Sequence, residues 1–203
     1  MTIATSKPKT YTAEEYLALE VESELRHEYR AGEIVKMTGG TPAHNKLSSA
    51  LNALLWLSLR KQPYTVFVTD QRLWISAVDL YTYPDVMVIS DPPELKPGRQ
   101  DTVINPILIA ETLSQSTQNY DRGDKFVHYR TIETFQEYVL IDQYRPFVEH
   151  HVKQSKHQWL LTEYQGLDAS LSLISVPVEI ALADLYEGVE YEVPDKRDRT
   201  PEA

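Results

Sequence analysis

The stretch Pro106-Ile107-Leu108-Ile109-Ala110-Glu111 sets an unbroken apolar run between a proline and a carboxylate. Apolar residues in a row, without alternation, describe a strand covered on both faces, as inside an α/β sheet. Upstream, Pro84-Asp85-Val86-Met87-Val88-Ile89 is a second such run. Asp91 to Asp101, rich in Pro, Gly and charge, reads as the loop between them. Antiparallel pairing through that loop lays the start of one strand beside the end of the other. Asp85 and Glu111 are therefore expected to meet at one edge of a buried sheet. Downstream, Tyr120 to Thr131 is polar with Phe126, Val127 and Tyr129 and predicts a surface helix, and Glu137 to Asp142 predicts another buried strand. Strand, helix, strand makes a right-handed β-α-β crossover. The expected fold class is α/β, with a mixed central sheet flanked by helices.

Working outward, Thr12 and Glu15 form a capping box before Tyr16, Leu17 and Leu19, which predicts an N-terminal helix. His27 to Tyr29 and Glu33 to Met37 flank Arg30-Ala31-Gly32 as a hairpin. Thr41 is a good N-cap, Pro42 suits a first helical position, and Leu47, Ala50, Leu51, Leu54 and Leu55 recur at helical spacing. That predicts a helix over Ala43 to Arg60, with its last turn weakened at Ser58. Thr65 to Asp70 and Gln71 to Ile75 read as one extended stretch. Towards the C-terminus, Phe147 to Val152 is expected to pair with the Glu137 strand across Tyr144-Arg145-Pro146. Trp159 to Tyr164 and Leu171 to Ile174 suggest further strands, and Val178 to Leu185 a short helix. No internal repeat is found. One domain over residues 11–193 is expected, between a flexible N-terminus (1–10) and a disordered charged tail (194–203).

Composition narrows the class. With 203 residues, 42% hydrophobic and 25% charged, the chain can build one core and is neither collagenous nor wholly disordered. No apolar run approaches the roughly 18 residues of a membrane helix, and the polar start lacks a signal-peptide apolar region. The chain has no cysteine, which removes disulfides and thiolate metal sites and predicts a cytoplasmic protein. The formal charge of −10 argues against tight non-specific binding to nucleic acid, unless a local basic patch or metal ions offset the carboxylates.

The carboxylate pair is the main chemical signal. Two carboxylates held together repel unless a proton or cation intervenes. Mg²⁺ suits an oxygen-only site of this kind, with Asp85 and Glu111 as ligands, and Mn²⁺ is a possible substitute. The plainer reading is a Pro-Asp step opening a strand and an acid capping a turn. Lys125 follows on the expected crossover helix and can reach back to stabilise phosphoryl charge; alternatively it pairs with Asp121 or faces solvent. Glu28 is a possible third carboxylate or one half of a cross-strand ion pair. His44, at the first turn of the long helix, can transfer protons or meet a phosphate, or simply make a local hydrogen bond. His150 and His151 point to opposite faces of a strand, and His128 and His157 read as surface positions. No serine-hydrolase, P-loop or zincin motif is present.

Tyr83-Pro84-Asp85, Ile109-Ala110-Glu111-Thr112-Leu113-Ser114-Gln115-Ser116-Thr117, and Asp121-Arg122-Gly123-Asp124-Lys125 with Tyr129 together resemble the Uma-two family of putative restriction endonucleases. Glu28-Tyr29-Arg30-Ala31-Gly32-Glu33-Ile34 and Thr41-Pro42-Ala43-His44-Asn45 resemble that family's opening motifs. The resemblance runs from about Tyr11 to Asp142. It implies a restriction-endonuclease-like core of the PD-(D/E)XK superfamily and a metal-dependent endonuclease acting on DNA, with Asp85 and Glu111 as metal ligands. The chain departs from the superfamily's pattern where that places its lysine, which is Leu113 here; the family resemblance implies that the lysine moves to the next helix, with Lys125 as its substitute. A nuclease cutting both strands makes a homodimer plausible, and RNA is not excluded as substrate. The rival expectation is a catalytically inactive nuclease-fold protein acting as a binding or regulatory module. Lys46, Arg72, Arg122 and Arg130 are candidate groove residues.

Overall fold

The computed structural model describes residues 9–190; the expected tail at 194–203 and most of the expected flexible N-terminus lie outside the described residues. Helix α1 (Ala13–Glu22) opens on the Thr12/Glu15 capping box, both hydrogen bonds of which form. Strands β1 (His27–Arg30) and β2 (Glu33–Lys36) form the N-terminal hairpin. Its two turn residues, Ala31 and Gly32, both take positive φ (46° and 106°), the geometry that lets strands of native twist join in two residues. Arg30 thus ends a strand rather than entering the turn.

Helix α2 (Pro42–Leu59) starts at Thr41, whose hydroxyl accepts from the His44 N–H. Its stripe does not fade: Ser58 is exposed, but Leu59 carries the pattern one residue on and is buried with Leu47, Leu51 and Leu55. These leucines pack against Val86, Val88, Leu108 and Ala110. Truncating one of them, such as Leu55→Ala, is expected to cost about 2–5 kcal/mol.

Two sheets carry the chain. The larger has the order β11-β10-β9-β8-β6-β3, from β3 (Tyr64–Val68), β6 (Val86–Ser90), β8 (Pro106–Leu113), β9 (Glu137–Asp142), β10 (Phe147–Ser155) and β11 (Gln158–Gln165). As expected, β6 and β8 pair antiparallel and β8 and β9 pair parallel, which gives the mixed sheet. The smaller sheet, β2-β1-β5-β4-β7, adds β4 (Arg72–Ile75), β5 (Leu80–Thr82) and β7 (Thr102–Val103). On the face opposite α2, Met87, Ile89, Ile109 and Leu113 meet Leu73, Ile75, Phe126 and Tyr129. No helix among the described residues is long and apolar enough to cross a membrane.

Several expectations are corrected. Residues 65–75 are not one extended stretch: Thr69 takes φ 50°, and β3 and β4 enter different sheets. Strand β8 runs to Leu113, so Glu111 lies inside it rather than closing it. The segment after β8 is no regular surface helix. It breaks into α3 (Gln118–Tyr120), a wide π-type turn at Asp121–Lys125 kinked at Gly123, and α4 (Phe126–Tyr129). Asp121, Lys125, Phe126 and Tyr129 are buried, while Arg122, Gly123, Asp124, Val127 and Arg130 are exposed. The C-terminal segment is a small hairpin, β12 (Ser170–Ser172) with β13 (Glu179–Ala181), leading into α5 (Leu182–Leu185). The helix expected at 178–185 is thus half strand.

Candidate active site

The pairing of β6 with β8 puts Val86 opposite Ala110, so the residues just beyond, Asp85 and Glu111, become neighbours. The Asp85 N–H donates to Glu111 Oε2 at 3.3 Å, and Asp85 Oδ2 accepts from the Thr112 N–H at 2.8 Å. Each carboxylate is thereby fixed by the backbone that carries the other.

Lys125 arrives from the crossover. Its Nζ lies 2.8 Å from Glu111 Oε1, 3.4 Å from Asp121 Oδ1 and 3.9 Å from Glu28 Oε1. The Asp121 pair expected as the alternative reading forms too, inside a larger cluster. Burial alone would lower the Lys125 pKa, but Glu111, Glu28 and Asp121 raise it well above the usual lysine value. Lys125 is therefore a fixed ammonium and no proton acceptor at neutral pH. The buried Tyr129 hydroxyl donates to the same Glu111 Oε1 at 2.7 Å. With Oε1 taken by Lys125 and Tyr129, Oε2 is the Glu111 oxygen left with a single long hydrogen bond. Burial pushes the Glu111 pKa up to about 7, with Asp85 and Asp121 adding to the rise and Lys125 opposing it.

His44 reaches the site from the first turn of α2, its Nε2 3.1 Å from Asp85 Oδ2. Burial lowers its pKa, but the hydrogen bond and charge of Asp85 outweigh that and leave it raised. Its Nδ1 is buried without a hydrogen-bond partner. The ring thus braces Asp85 more than it offers itself to solvent. The α2 N-terminus is further tied to β8 by the Ser48–Thr112 hydroxyl contact at 3.0 Å, and Thr41 donates to Gln143, whose amide donates to the Leu113 carbonyl at 2.7 Å.

Glu28 forms an ion pair, though with Arg30 two residues along its own strand rather than across strands. Its Oε2 accepts from Arg30 Nε and Nη2, and its Oε1 accepts from the Thr82 hydroxyl. Burial would raise its pKa, yet Lys125, Thr82 and Arg30 together hold it below the usual value. Asp85, Glu111, Lys125 and His44 converge, then, with Glu28 one step behind Lys125. Sequence reasoning missed Tyr129 and Asp121 as parts of the site, although both stand in the quoted motif. Tyrosine four residues after Lys125 was the available signal. Of the candidate groove cations, Arg72 is buried on Tyr83 and Asp101, Lys46 binds the Gly188 carbonyl and Arg122 pairs with Glu149.

The donor set fits a hard divalent cation. Asp85 Oδ1 accepts no hydrogen bond among the described residues, Glu111 Oε2 is only weakly engaged, and both belong to carboxylates, the ligands Mg²⁺ and Mn²⁺ prefer. Among the described residues no group of three or more His, Cys, Asp or Glu is arranged to hold a metal ion.

Residues 13–184 match the family Uma2, described as "putative restriction endonuclease", and the chain belongs to that family. An uncharacterized protein of Synechocystis sp. is 44% identical over 171 residues, covering 84% of this chain and 96% of the relative. A second from the same organism is 33% identical over 178 residues, covering 88% and 92%. A crystal structure from Anabaena variabilis, described as a putative nuclease belonging to DUF820, superposes with a TM-score of 0.70 at 20% identity over 87% of this chain and 98% of that one. The fold is thus that of a nuclease-like α/β protein.

Proposed function

We propose that this chain is a metal-dependent endonuclease that hydrolyses DNA phosphodiester bonds, built on the PD-(D/E)XK plan. The observation that carries the reading is the Lys125 ammonium 2.8 Å from Glu111, itself hydrogen-bonded to the Asp85 backbone. Leu113 is buried in the apolar core. The cation comes instead from the next element of the chain and meets the same carboxylate. That makes the inactive-module alternative unnecessary to account for Leu113.

Asp85 and Glu111 would hold Mg²⁺ or Mn²⁺, which supplies Lewis-acid polarisation of the phosphate and a more acidic bound water. Lys125 contributes a charge fixed beside the reacting phosphate, which favours the added negative charge of the transition state. Burial of Lys125 keeps that charge in a poorly screened setting, where it acts more strongly than on the surface. His44 is a positioning residue that holds Asp85 through Oδ2 and leaves Oδ1 for the cation. Glu28 balances the Lys125 charge and orients it towards Glu111. Water adds to phosphorus, the bridging P–O bond breaks, and the water's proton leaves to solvent or to the departing oxygen.

A duplex cut on both strands needs two such centres, and a homodimer would supply them; sedimentation velocity at micromolar concentration checks this. The function itself is tested with supercoiled plasmid, Mg²⁺ or Mn²⁺, and the Asp85→Ala variant. Metal-dependent nicking or linearisation that disappears in the variant is expected. Clean wild-type protein that leaves duplex DNA, single strands and RNA intact would replace this reading with the binding-module one.

A further inference from the structure

Beside the same cluster, Arg30 is held in an unusual way for a half-buried cation. Its guanidinium carbon lies 4.0 Å over the centre of the Tyr120 ring. Nε and Nη2 both donate to Glu28 Oε2, while Nη1 has no partner among the described residues. The side chain is 35% exposed, against 6% for Glu28 and 8% for Lys125. An arginine that exists only to neutralise a carboxylate has no need of an aromatic platform, and a free long side chain loses much rotamer entropy when it is fixed. Here that cost has already been met by the fold. A planar donor, pre-aligned on an aromatic face with one edge open, is the arrangement that suits a phosphate oxygen.

The connectivity places this donor relative to the reacting centre. Arg30 touches Glu28, Glu28 faces Lys125 at 3.9 Å, and Lys125 touches Glu111. Lys46, Arg72 and Arg122 are occupied elsewhere, and Arg130 lies over Phe126. Arg30 is therefore the partly exposed cation joined to the carboxylate centre by direct ion pairs through Glu28 and Lys125. In a chain of net charge −10, a local, fixed cation matters more than it would on a basic surface.

We propose that Arg30, stacked on Tyr120, is the phosphate-gripping residue of this site, binding a backbone phosphate of the nucleic acid next to the one cleaved. The inference rests on the nuclease reading and adds the residue that seats its polyanionic substrate. Glu28 has a double function: Oε1 steadies Lys125 at the chemistry, and Oε2 steadies Arg30 at the phosphate.

The test is fluorescence anisotropy of a short labelled DNA duplex in Ca²⁺ across a salt series, with Mg²⁺-dependent cleavage followed in parallel. Wild type is compared with Arg30→Ala, Arg30→Lys and Tyr120→Leu. Arg30→Ala is expected to weaken binding about tenfold, the loss of one charge-assisted hydrogen bond. It should also flatten the salt dependence by about one unit of slope, and the cleavage loss should fall on KM more than on kcat. Arg30→Lys should keep the salt slope while losing part of the affinity. Tyr120→Leu should cost a few-fold in affinity with the slope unchanged, since it removes the platform and no charge. Wild type that binds and cuts while Arg30→Ala keeps the same Kd and slope would overturn the assignment. So would an Arg30→Ala loss confined to melting temperature or kcat, which marks a purely structural partner of Glu28. If wild type neither binds nor cuts, the nuclease reading fails and this inference fails with it.

Discussion

Lys125 is the residue on which the site's electrostatics turn. It is 7% exposed and faces Glu111, Asp121 and Glu28, three carboxylates that would repel one another without it. Removing one partner of a buried ionic cluster leaves the others uncompensated, which costs about 3–5 kcal/mol. Lys125→Met, similar in length and without charge, is expected to lower stability by about that much in urea unfolding and to abolish cleavage. A variant with unchanged stability would show that water reaches the cluster and screens it. Tyr129 gives a milder case. Tyr129→Phe keeps the ring, which packs with Phe135 and Tyr138, and deletes only the hydroxyl that donates to Glu111. A loss of about 1 kcal/mol is expected, since Lys125 still satisfies the same oxygen.

At the scale of elements, helix α2 brings His44 to Asp85, and Gly40 leaves room for it. A Cβ at position 40 would lie 2.7 Å from His44 Nδ1 and 2.9 Å from its Cγ. Gly40 does not take a positive φ, so alanine there is strained by these contacts and by Asn45 Oδ1 at 3.0 Å rather than by its backbone. Gly40→Ala should swing the imidazole off Asp85, reducing cleavage several-fold while the melting temperature moves by about a degree or two. Activity equal to wild type would show that Asp85 needs no brace. The same helix indicates what a sequence can and cannot reveal. Its cap, its Pro42 start and its leucine stripe are local signals, and so are the apolar runs of β6 and β8, whose pairing followed from them. The crossover was not legible in that way. Burial of Asp121, Lys125 and Tyr129 goes with partners far along the chain, Glu28 and Glu111, which a local reading does not supply, so a polar composition there suggested a surface helix. The smaller sheet was hidden for a related reason. Strands β5 and β7 are only three and two residues long, too short to show any period. Glu28 likewise could be recognised as a carboxylate but not placed, because Thr82, Arg30 and Lys125 come from separate elements.

For the whole molecule, the titrating groups pull stability in opposite directions with pH. Glu137 is buried; burial would raise its pKa, but His150, Ser175 and two backbone N–H groups hold it low. With Glu28, it contributes stability that is present above the unfolded carboxylate value and lost as pH falls through the depressed folded one. Glu111 does the reverse. Raised to about 7 from 4.5, it binds a proton in the folded chain that the unfolded chain has already released. Its contribution is full below the unfolded value and is lost as pH rises through about 7, an effect on the order of 1–3 kcal/mol. His44, also raised, adds to the same decline. Lys125 titrates above this window and leaves the slope alone. The metal-free protein is therefore expected to melt several degrees lower at about pH 8 than at about pH 5.5. A divalent cation needs Glu111 ionised, and a ligand that binds only the folded state stabilises it by an amount that grows with its affinity. The increment in melting temperature from saturating Mg²⁺ or Mn²⁺ should accordingly grow from about pH 5.5 to about pH 8 and vanish in Asp85→Ala. An increment that is flat with pH would place the cation away from Glu111, and with it the centre of the proposed chemistry.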